Sequence, residues 1–182
     1  MTKISRRNFL AASGMLAGSA LINPGETIQA APLNTPNHAA PTSKMKVALI
    51  GTGSRGCGMW GRDLVKRYSD NLTFVGLCDN NPGRLQAGKE YIGVDCPTYT
   101  DFDKMMKESK PDLLIVCSKD STHHDFIVRA MDMGCNVLTE KPMTIDEHKV
   151  QAIIDAEKRT GKQCRVTFNY RYSPHLSPIT NC

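Results

Sequence analysis

Two short segments of the sequence contain residue types and spacings that could do chemistry. Gly51-Thr-Gly-Ser-Arg-Gly56 follows a short apolar run, and Glu140-Lys141-Pro142 ends another. Because Pro142 disfavours helical geometry at Lys141, we expect the acid and the base in extended backbone at a strand end. A lysine there could stabilise negative charge on a substrate oxygen, and a glycine-rich turn before a helix could bind phosphate. An isolated acid-base-proline tripeptide, however, is usually a surface ion pair that opens a loop.

The hydrophobic pattern around these segments predicts strands that alternate with helices. Apolar, strand-like runs cover 46–50, 72–78, 98–99, 112–118, 136–139 and 163–168. Helix-like segments cover 57–69, 82–92, 101–109 and 123–133, and a last helix opens at a capping box, Thr144-Ile-Asp-Glu147, and closes at Gly161. The strands are continuously apolar, which is typical of a parallel sheet buried on both faces. The sequence therefore predicts an α/β, doubly wound parallel sheet of strand order 3-2-1-4-5-6.

The glycine-rich segment lies between the first strand and the first helix, where a dinucleotide-binding fold needs it. Gly51, Gly53 and Gly56 would supply a tight turn, close approach of backbone to pyrophosphate, and close helix–strand contact. Asp79 ends the second strand 23 residues after Gly56, near the spacing expected for a carboxylate on the adenine ribose hydroxyls. Together these features predict dinucleotide binding over the simpler reading of a structural glycine turn and a surface aspartate.

The acid at position 79 also bears on the choice of cofactor. Asp79 would repel a 2′-phosphate, which favours NAD over NADP. NADP remains an alternative cofactor, since either Arg55 or Arg84 could neutralise a 2′-phosphate there.

These motifs together resemble the glucose–fructose oxidoreductase / inositol dehydrogenase / MocA family. The resemblance covers essentially all of 46–175, and Glu140-Lys141-Pro142 at this distance from the glycines is its most specific element. Its further parts are Asp79, the loop Ser118-Lys-Asp-Ser-Thr-His123, Gly134 and Asn169-Tyr-Arg-Tyr-Ser-Pro174. The resemblance implies an NAD(P)-binding domain followed by an α/β domain whose open sheet holds sugar or polyol substrates.

By that resemblance, Lys141 is the catalytic residue beside the reacting hydroxyl or carbonyl, where it stabilises alkoxide charge during hydride transfer and could assist proton transfer. Glu140 would position the cofactor ribose or nicotinamide. Further positions that line the cofactor in the family are occupied here by Ser54, Arg55, Asp120, His123 and Asn169. A lone histidine such as His123 can instead be a helix N-terminal or packing residue.

The end of the chain departs from the family pattern. Tyr170 and Arg171 match substrate-side positions, but they could equally form an entry strand to a further domain. The sequence stops at Cys182, before the family's catalytic histidine or tyrosine and most of its sugar contacts. We therefore expect a binding domain over 44–170 and, in 171–182, the start of a truncated substrate domain. Lys119 also stands where the family usually has proline, which leaves the shape of that loop open.

The first thirty residues have the composition of an export signal. Ser5-Arg-Arg-Asn-Phe-Leu10 precedes a weakly apolar run too short to span a bilayer, and Ile28-Gln-Ala30 is a candidate cleavage site. The first segment resembles the twin-arginine consensus, which implies export to the periplasm by the twin-arginine machinery. The alternatives are a Sec signal or a tail with a chance arginine pair. Residues 31–43 are rich in Pro, Ala and Asn and predict a linker.

Charge and cysteine content argue against a nucleic-acid-binding protein and against a disulfide or zinc framework. The net charge is +5, and no basic stripe with interleaved aromatics suggests nucleic-acid binding. The seven cysteines are scattered without a C-x-x-C pair, and Cys78 and Cys117 lie inside apolar runs. We expect small core hydrophobes rather than disulfides or zinc ligands, and no metal site.

Three functions are consistent with the sequence. The first is an exported NAD(P)-dependent oxidoreductase, homo-oligomeric in its full-length form, that acts on a sugar or cyclitol. The second is an NAD-dependent glycosidase or eliminase that oxidises a sugar transiently with tightly held cofactor. The third is a nucleotide-binding fragment without catalysis of its own. Net turnover of NAD, release of an aglycone without net NADH, and binding without turnover distinguish them.

Overall fold

The computed structural model describes residues 43–168, which form a six-stranded parallel sheet with helices between the strands. The strands are β1 (Met45–Ile50), β2 (Leu72–Cys78), β3 (Thr98–Tyr99), β4 (Leu113–Val116), β5 (Asn136–Thr139) and β6 (Cys164–Val166). They lie in the order β3-β2-β1-β4-β5-β6, and every pair is parallel, as predicted. No helix in this described part is long and apolar enough to span a bilayer.

The helices connect successive strands. They are α1 (Asp63–Tyr68), α2 (Pro82–Ile92), α3 (Phe102–Ser109), α4 (His123–Asp132) and α5 (Glu147–Thr160). A π-helix (Gly56–Arg62) precedes α1, and a short 3-10 helix (Asp120–Thr122) precedes α4. The predicted export signal, almost all of the linker, and Asn169, Tyr170 and Arg171 lie outside the described residues.

Both faces of the sheet are covered by packed apolar side chains. In β1, Ala48 and Ile50 pack into a core with residues of α3, α4 and α5. Val47 and Leu49 point to the other face, where α2 and the π-helix contribute. A strand that alternates between two cores must be apolar at every position, which explains the continuous runs in the sequence. The sheet that results is a rigid support for the loops at its carboxyl edge.

The first helix differs from the single helix predicted over 57–69. Its opening turn is π-helical, and the Asp63 N–H donates to the Gly58 carbonyl, five residues back. Gly61 lies in this segment against Ile92 of α2, and a Cβ at Gly61 would collide with the Ile92 side chain. Single wide turns of this kind are frequent near functional sites.

The predicted capping box at Thr144 is wrong. Helix α5 begins at Glu147, and its N-cap is Asp146, whose carboxylate accepts a hydrogen bond from the Lys149 N–H at 3.0 Å. A carboxylate suits this position because it satisfies a free N–H and faces the positive end of the helix. The Thr144 hydroxyl is buried without a partner among the described residues. The helix ends, as predicted, before Gly161 at φ 68°.

The chain leaves β4 earlier than predicted, so Cys117 and Ser118 lie after the strand rather than in a strand ending at 118. Lys119 has φ −66° and ψ 140°, which is the backbone conformation that proline imposes. The Lys119 carbonyl then accepts from the Thr122 N–H at 2.8 Å. The loop thus adopts a proline-like shape without proline. Strand β6 is likewise shorter than the predicted 163–168.

The six cysteines in the described part have free thiols, four of them buried. Burial is the main cause that raises the pKa of the Cys78 thiol to about 12. The same effect raises the pKa of Cys117, beside the glycine turn, to about 12. Thiols with a raised pKa stay neutral at pH 7, and the four buried cysteines are small core hydrophobes, as predicted.

Candidate functional site

The glycine-rich turn packs tightly against neighbouring backbone at Gly51 and Gly56 and faces open space at Gly53. Gly51 has φ 93°, a conformation that favours glycine, and a Cβ there would collide with the Cys117 carbonyl. A Cβ on Gly56 would collide with the Gly51 carbonyl oxygen. A Cβ on Gly53, in contrast, would meet nothing within 4 Å. The free N–H groups of the helix that follows thus border open space, which suits the phosphates of a dinucleotide.

Asp79 stands at the end of β2 and is held by the turn itself. Its Oδ2 accepts hydrogen bonds from the N–H and the hydroxyl of Thr52, at 2.8 and 3.0 Å. Its Oδ1 accepts from the Asn81 N–H at 3.0 Å and pairs with Arg84 at 3.2 Å. Burial by itself would raise the pKa of this carboxyl, but the hydrogen bonds and Arg84 together hold it below its usual value. Asp79 is therefore a fixed anion at neutral pH.

A cavity of about 670 Å³ extends from Gly53 and Asp79 across the ends of β1, β2 and β4. Phe102 and Phe126 supply apolar wall, and Arg84 and Lys119 supply positive charge. Its volume falls in the ordinary range for small-molecule sites. An acid beside the turn and an apolar wall match the ribose and adenine of a dinucleotide. Arg84 lines the same cavity and carries the positive charge that a 2′-phosphate needs, so NADP also fits the chemistry of this cavity.

A second cavity, of about 450 Å³, lies on the other side of Cys117 and Ser118. Its wall brings together predicted site residues from separate parts of the chain. These are Arg55, Asp120, His123, Glu140 and Lys141. Lys141 is exposed at the carboxyl end of β5, joined to Pro142 by a cis peptide bond. A dinucleotide lying across the glycine turn would connect the two cavities, with its nicotinamide end in this one.

Glu140 is turned away from the solvent and is only 7% exposed. Its Oε1 accepts from Trp60 Nε1 at 2.7 Å and from Arg55 Nε at 2.9 Å. Burial would raise the pKa of the carboxyl, but these two donors, with a smaller contribution from the Lys141 N–H, hold it below its usual value. In the structure Glu140 therefore binds the first helix and the turn, rather than pointing freely into the cavity.

His123 is the first residue of α4 and is 1% exposed. Nδ1 lies 2.8 Å from the Pro142 carbonyl oxygen, and Nε2 lies 3.1 Å from the Ser118 carbonyl oxygen. The ring thus bridges the loop after β4 and the loop after β5, the two sides of the second cavity. The packing alternative for His123 agrees with these contacts, and its contact with a cofactor stays a prediction.

The sequence comparison agrees with this geometry. Residues 45–168 match the family described as "Oxidoreductase family, NAD-binding Rossmann fold", GFO_IDH_MocA. The chain belongs to this family. The match spans the whole described sheet, so the domain is an NAD-binding Rossmann domain, as predicted from the glycines and Asp79.

Relatives of known name include oxidoreductases and one glycosyl hydrolase. The chain is 34% identical over 132 residues to putative oxidoreductase YteT of Bacillus subtilis, covering 70% of this chain and 31% of that protein. It is 27% identical over 133 residues to inositol 2-dehydrogenase of Salmonella typhimurium, covering 71% and 40%. It is 28% identical over 205 residues to glycosyl hydrolase family 109 protein 1 of Akkermansia muciniphila, covering 92% and 42%.

Among solved structures, the fold is similar to that of the WlbA dehydrogenase from Bordetella pertussis in complex with NADH and UDP-GlcNAcA. The TM-score is 0.71 at 20% identity, and the match covers 76% of this chain and 41% of that one. This similarity shows the shared fold. The chain spans between 31% and 42% of the length of the three relatives above.

Within this family fold, the structure brings together most of the predicted site. Ser54 is exposed at the turn and is not among the residues that line either of the two cavities. Thr52 and Trp60 were missed by sequence reasoning. Thr52 is the x of the first Gly-x-Gly, and its hydroxyl was a signal that could have suggested a partner for Asp79. Trp60 is the single tryptophan of the chain, four residues after Gly56, and its N–H needed an acceptor.

Proposed function

We propose that this chain carries the cofactor-binding half of an NAD-dependent oxidoreductase for a sugar or cyclitol, with Lys141 as its catalytic residue. The observation that carries the proposal is the position of Lys141, exposed in the second cavity at the carboxyl end of β5. In doubly wound sheets ligands bind at this edge. The inositol 2-dehydrogenase among the relatives supports a cyclitol or sugar as the substrate class.

NAD, when bound, accepts or supplies the hydride, and the chain's own residues do the rest. Gly53 and the N–H groups after it hold the phosphates, and Asp79 holds the adenine ribose. Lys141 donates a hydrogen bond to the substrate oxygen and stabilises the negative charge that develops there. Lys141 also can pass a proton to or from that oxygen. NADP is proposed as a weaker ligand, because Asp79 is ionised and only partly balanced by Arg84.

Lys141 does not suffice alone. Orientation of the substrate supplies a large part of the barrier reduction in enzymes, about 7–11 kcal/mol in favourable cases. Lys141 and Pro142 are exposed, so the described part of the chain offers a sugar only one wall. We therefore expect the 182-residue chain to bind NADH without appreciable hydride transfer. A form extended by a substrate-binding domain is expected to turn over, as a homo-oligomer.

The experiment measures NADH formation from a panel of cyclitols and sugars by an extended form, and NADH binding by calorimetry. Lys141→Ala should remove most of the turnover while NADH affinity changes modestly. Lys158→Ala, which alters an exposed lysine on α5, is the control and should retain full rate. An extended Lys141→Ala variant at full rate would show that the catalytic assignment is wrong.

A second function is favoured by one comparison. The glycosyl hydrolase relative aligns with 92% of this chain. An NAD-dependent glycosidase would oxidise a sugar, eliminate the aglycone, add water across the resulting double bond and reduce the sugar again, with no net change in NAD. Chromophore release from nitrophenyl glycosides without net NADH would support this function over the dehydrogenase.

A further inference from the structure

One carboxylate oxygen joins three separate parts of the chain. Oε1 of Glu140 accepts both the Trp60 indole N–H, at 2.7 Å, and the Arg55 Nε–H, at 2.9 Å. Trp60 lies in the π-helix, Arg55 in the glycine turn, and Glu140 directly before Lys141. The Glu140 side chain is 9% exposed and that of Arg55 is 43% exposed. The pair is therefore buried at the acid and open at the guanidinium.

Arg55 uses only its Nε–H in the contact with Glu140. The Nε–H is donated to Glu140, while the two terminal nitrogens have no hydrogen bond to another described residue, and Arg55 is half-exposed and lines the second cavity. Guanidinium groups bind phosphate through such paired terminal donors. An arginine held at its Nε is restricted in the orientation of its free end.

The orientation of Arg55 depends on Trp60, because both side chains donate to the same Glu140 oxygen. A carboxylate with a single donor can rotate about its side-chain torsions, but a second donor from another direction fixes it. Both hydrogen bonds are charge-assisted, and such bonds are stronger than neutral ones. Trp60 is partly buried against the core that Val47 and Leu49 form with α2, so its indole is itself fixed. Trp60 is not among the residues that line the two cavities.

We propose that Trp60 is a positioning residue of the cofactor site. Through Glu140 it fixes Arg55 where the phosphates of the cofactor meet the second cavity, and its N–H responds to cofactor binding without contact. The inference rests on the proposed function, in that it places the nicotinamide side of the cofactor beside Lys141. It assigns Glu140 the role of connecting Trp60 with Arg55.

The test uses the single tryptophan of the chain. One indole cross-peak is expected in the ¹H–¹⁵N NMR spectrum of the labelled 182-residue protein, and it is followed while NADH is added to saturation. The peak should move in the parent protein, because phosphate bound by the free end of Arg55 draws charge away from the Arg55–Glu140 pair and so changes the hydrogen bond that the indole donates to Glu140. In Arg55→Ala the peak should stay fixed at saturating NADH, with saturation checked by NADH fluorescence.

A second arm measures affinity. Trp60→Phe keeps an aromatic ring and removes the N–H donor, and it should weaken NADH binding about three- to tenfold, as loss of one charge-assisted hydrogen bond allows. Tyr68→Phe, which removes a hydroxyl from an exposed ring farther along the same helical segment, is the control and should bind NADH like the parent.

Three results would each overturn the proposal. They are an indole peak that saturating NADH does not move, a peak that moves equally in Arg55→Ala, and unchanged NADH affinity in Trp60→Phe. The spectra of the parent and Arg55→Ala decide the matter if Trp60→Phe does not fold. Because no sugar is added, failure of sugar oxidation would overturn the proposed function and leave this result standing.

Discussion

The side chains of Arg55 and Glu140, 85 positions apart in the sequence, meet with 2.9 Å between Nε and Oε1. One residue belongs to the glycine turn and the other to the end of β5, next to Lys141. The contact therefore joins the turn proposed to bind phosphate to the strand end that carries Lys141. Since the acid is buried and the base is half-exposed, removing the base would leave a buried negative charge without its positively charged partner.

The first prediction concerns acid stability. Hydrogen bonds hold the folded-state pKa of Glu140 below its usual value, so this group stabilises the fold above its unfolded pKa of about 4.3. That stabilisation is lost as the pH falls through the lower, folded pKa. The free energy of unfolding should therefore fall less steeply between about pH 5 and pH 3 in Glu140→Gln than in the parent. Urea titrations across this range measure it.

The exposed Glu90→Gln is the matched control and should keep the parent slope. Equal slopes in the parent and Glu140→Gln would contradict the first prediction, because they would mean that the carboxyl titrates alike in the folded and unfolded chains.

The second prediction separates folding from binding at two glycines of one motif. Gly56→Ala should destabilise the fold by about 2 kcal/mol or more, because its Cβ would overlap the Gly51 carbonyl oxygen and the turn cannot yield. Gly53→Ala should fold like the parent, since nothing lies within 4 Å of a Cβ there. Its methyl group enters the space proposed for phosphate, so NADH binding should weaken. Thermal melts and calorimetry measure the two effects, and strong NADH binding by Gly53→Ala would contradict the proposed path of the cofactor.

Much of the fold follows from the sequence because the signals are local and mutually consistent. Continuous apolar runs require a sheet covered on both faces, and helical segments between them require parallel pairing. The strand order then follows from the glycine turn after β1. The error at the start of the last helix arose because two local signals compete. Asp146 and Thr144 are both good caps, and only the tertiary position of the loop decides between them.

The site was less predictable because its decisive contacts are distant in sequence. The positions of Gly51, Asp79 and Lys141 follow from strand ends, which the hydrophobic pattern locates. The partners of Glu140 do not, because the π-helical turn changes the direction in which Trp60 points. A π-helical turn has no simple sequence signature. The same limit applies to His123, whose two carbonyl partners belong to loops of irregular backbone.

The third prediction concerns that histidine as a brace between loops. His123→Phe keeps a ring but removes the imidazole N–H, which the ring donates to the Pro142 or the Ser118 carbonyl oxygen according to its tautomer. The free energy of unfolding should fall by about 1–3 kcal/mol, the range for buried polar groups left unsatisfied. Urea titration at pH 7 measures the change, and His148→Phe, at an exposed position of α5, should alter stability little. Unchanged stability in His123→Phe would mean that the bridge contributes nothing to the fold.

The fourth prediction concerns export, through residues outside the described part. We propose that Arg6 and Arg7 direct the folded protein to the periplasm by the twin-arginine machinery. A folded fluorescent reporter behind residues 1–43 should appear in the periplasm, and replacement of both arginines by lysine should keep it in the cytoplasm. Export of the lysine variant would contradict this route and favour a Sec signal.

The last prediction concerns the cofactor preference. Asp79→Ala should weaken NAD binding by about 1–3 kcal/mol, because the ribose hydroxyls lose their acceptor. The same change removes the negative charge beside Arg84, so the ratio of NADP to NAD affinity should rise.

Calorimetry with both nucleotides measures this ratio, which is insensitive to any general loss of stability because both ligands bind the same folded state. Asp155→Ala, on the exposed side of α5, is the control and should leave both affinities unchanged. If the parent protein bound NADP more tightly than NAD, Arg84 rather than Asp79 would set the preference. In that case the Asp79 carboxylate would stabilise the glycine turn, through its hydrogen bonds with Thr52, and would not bind the ribose.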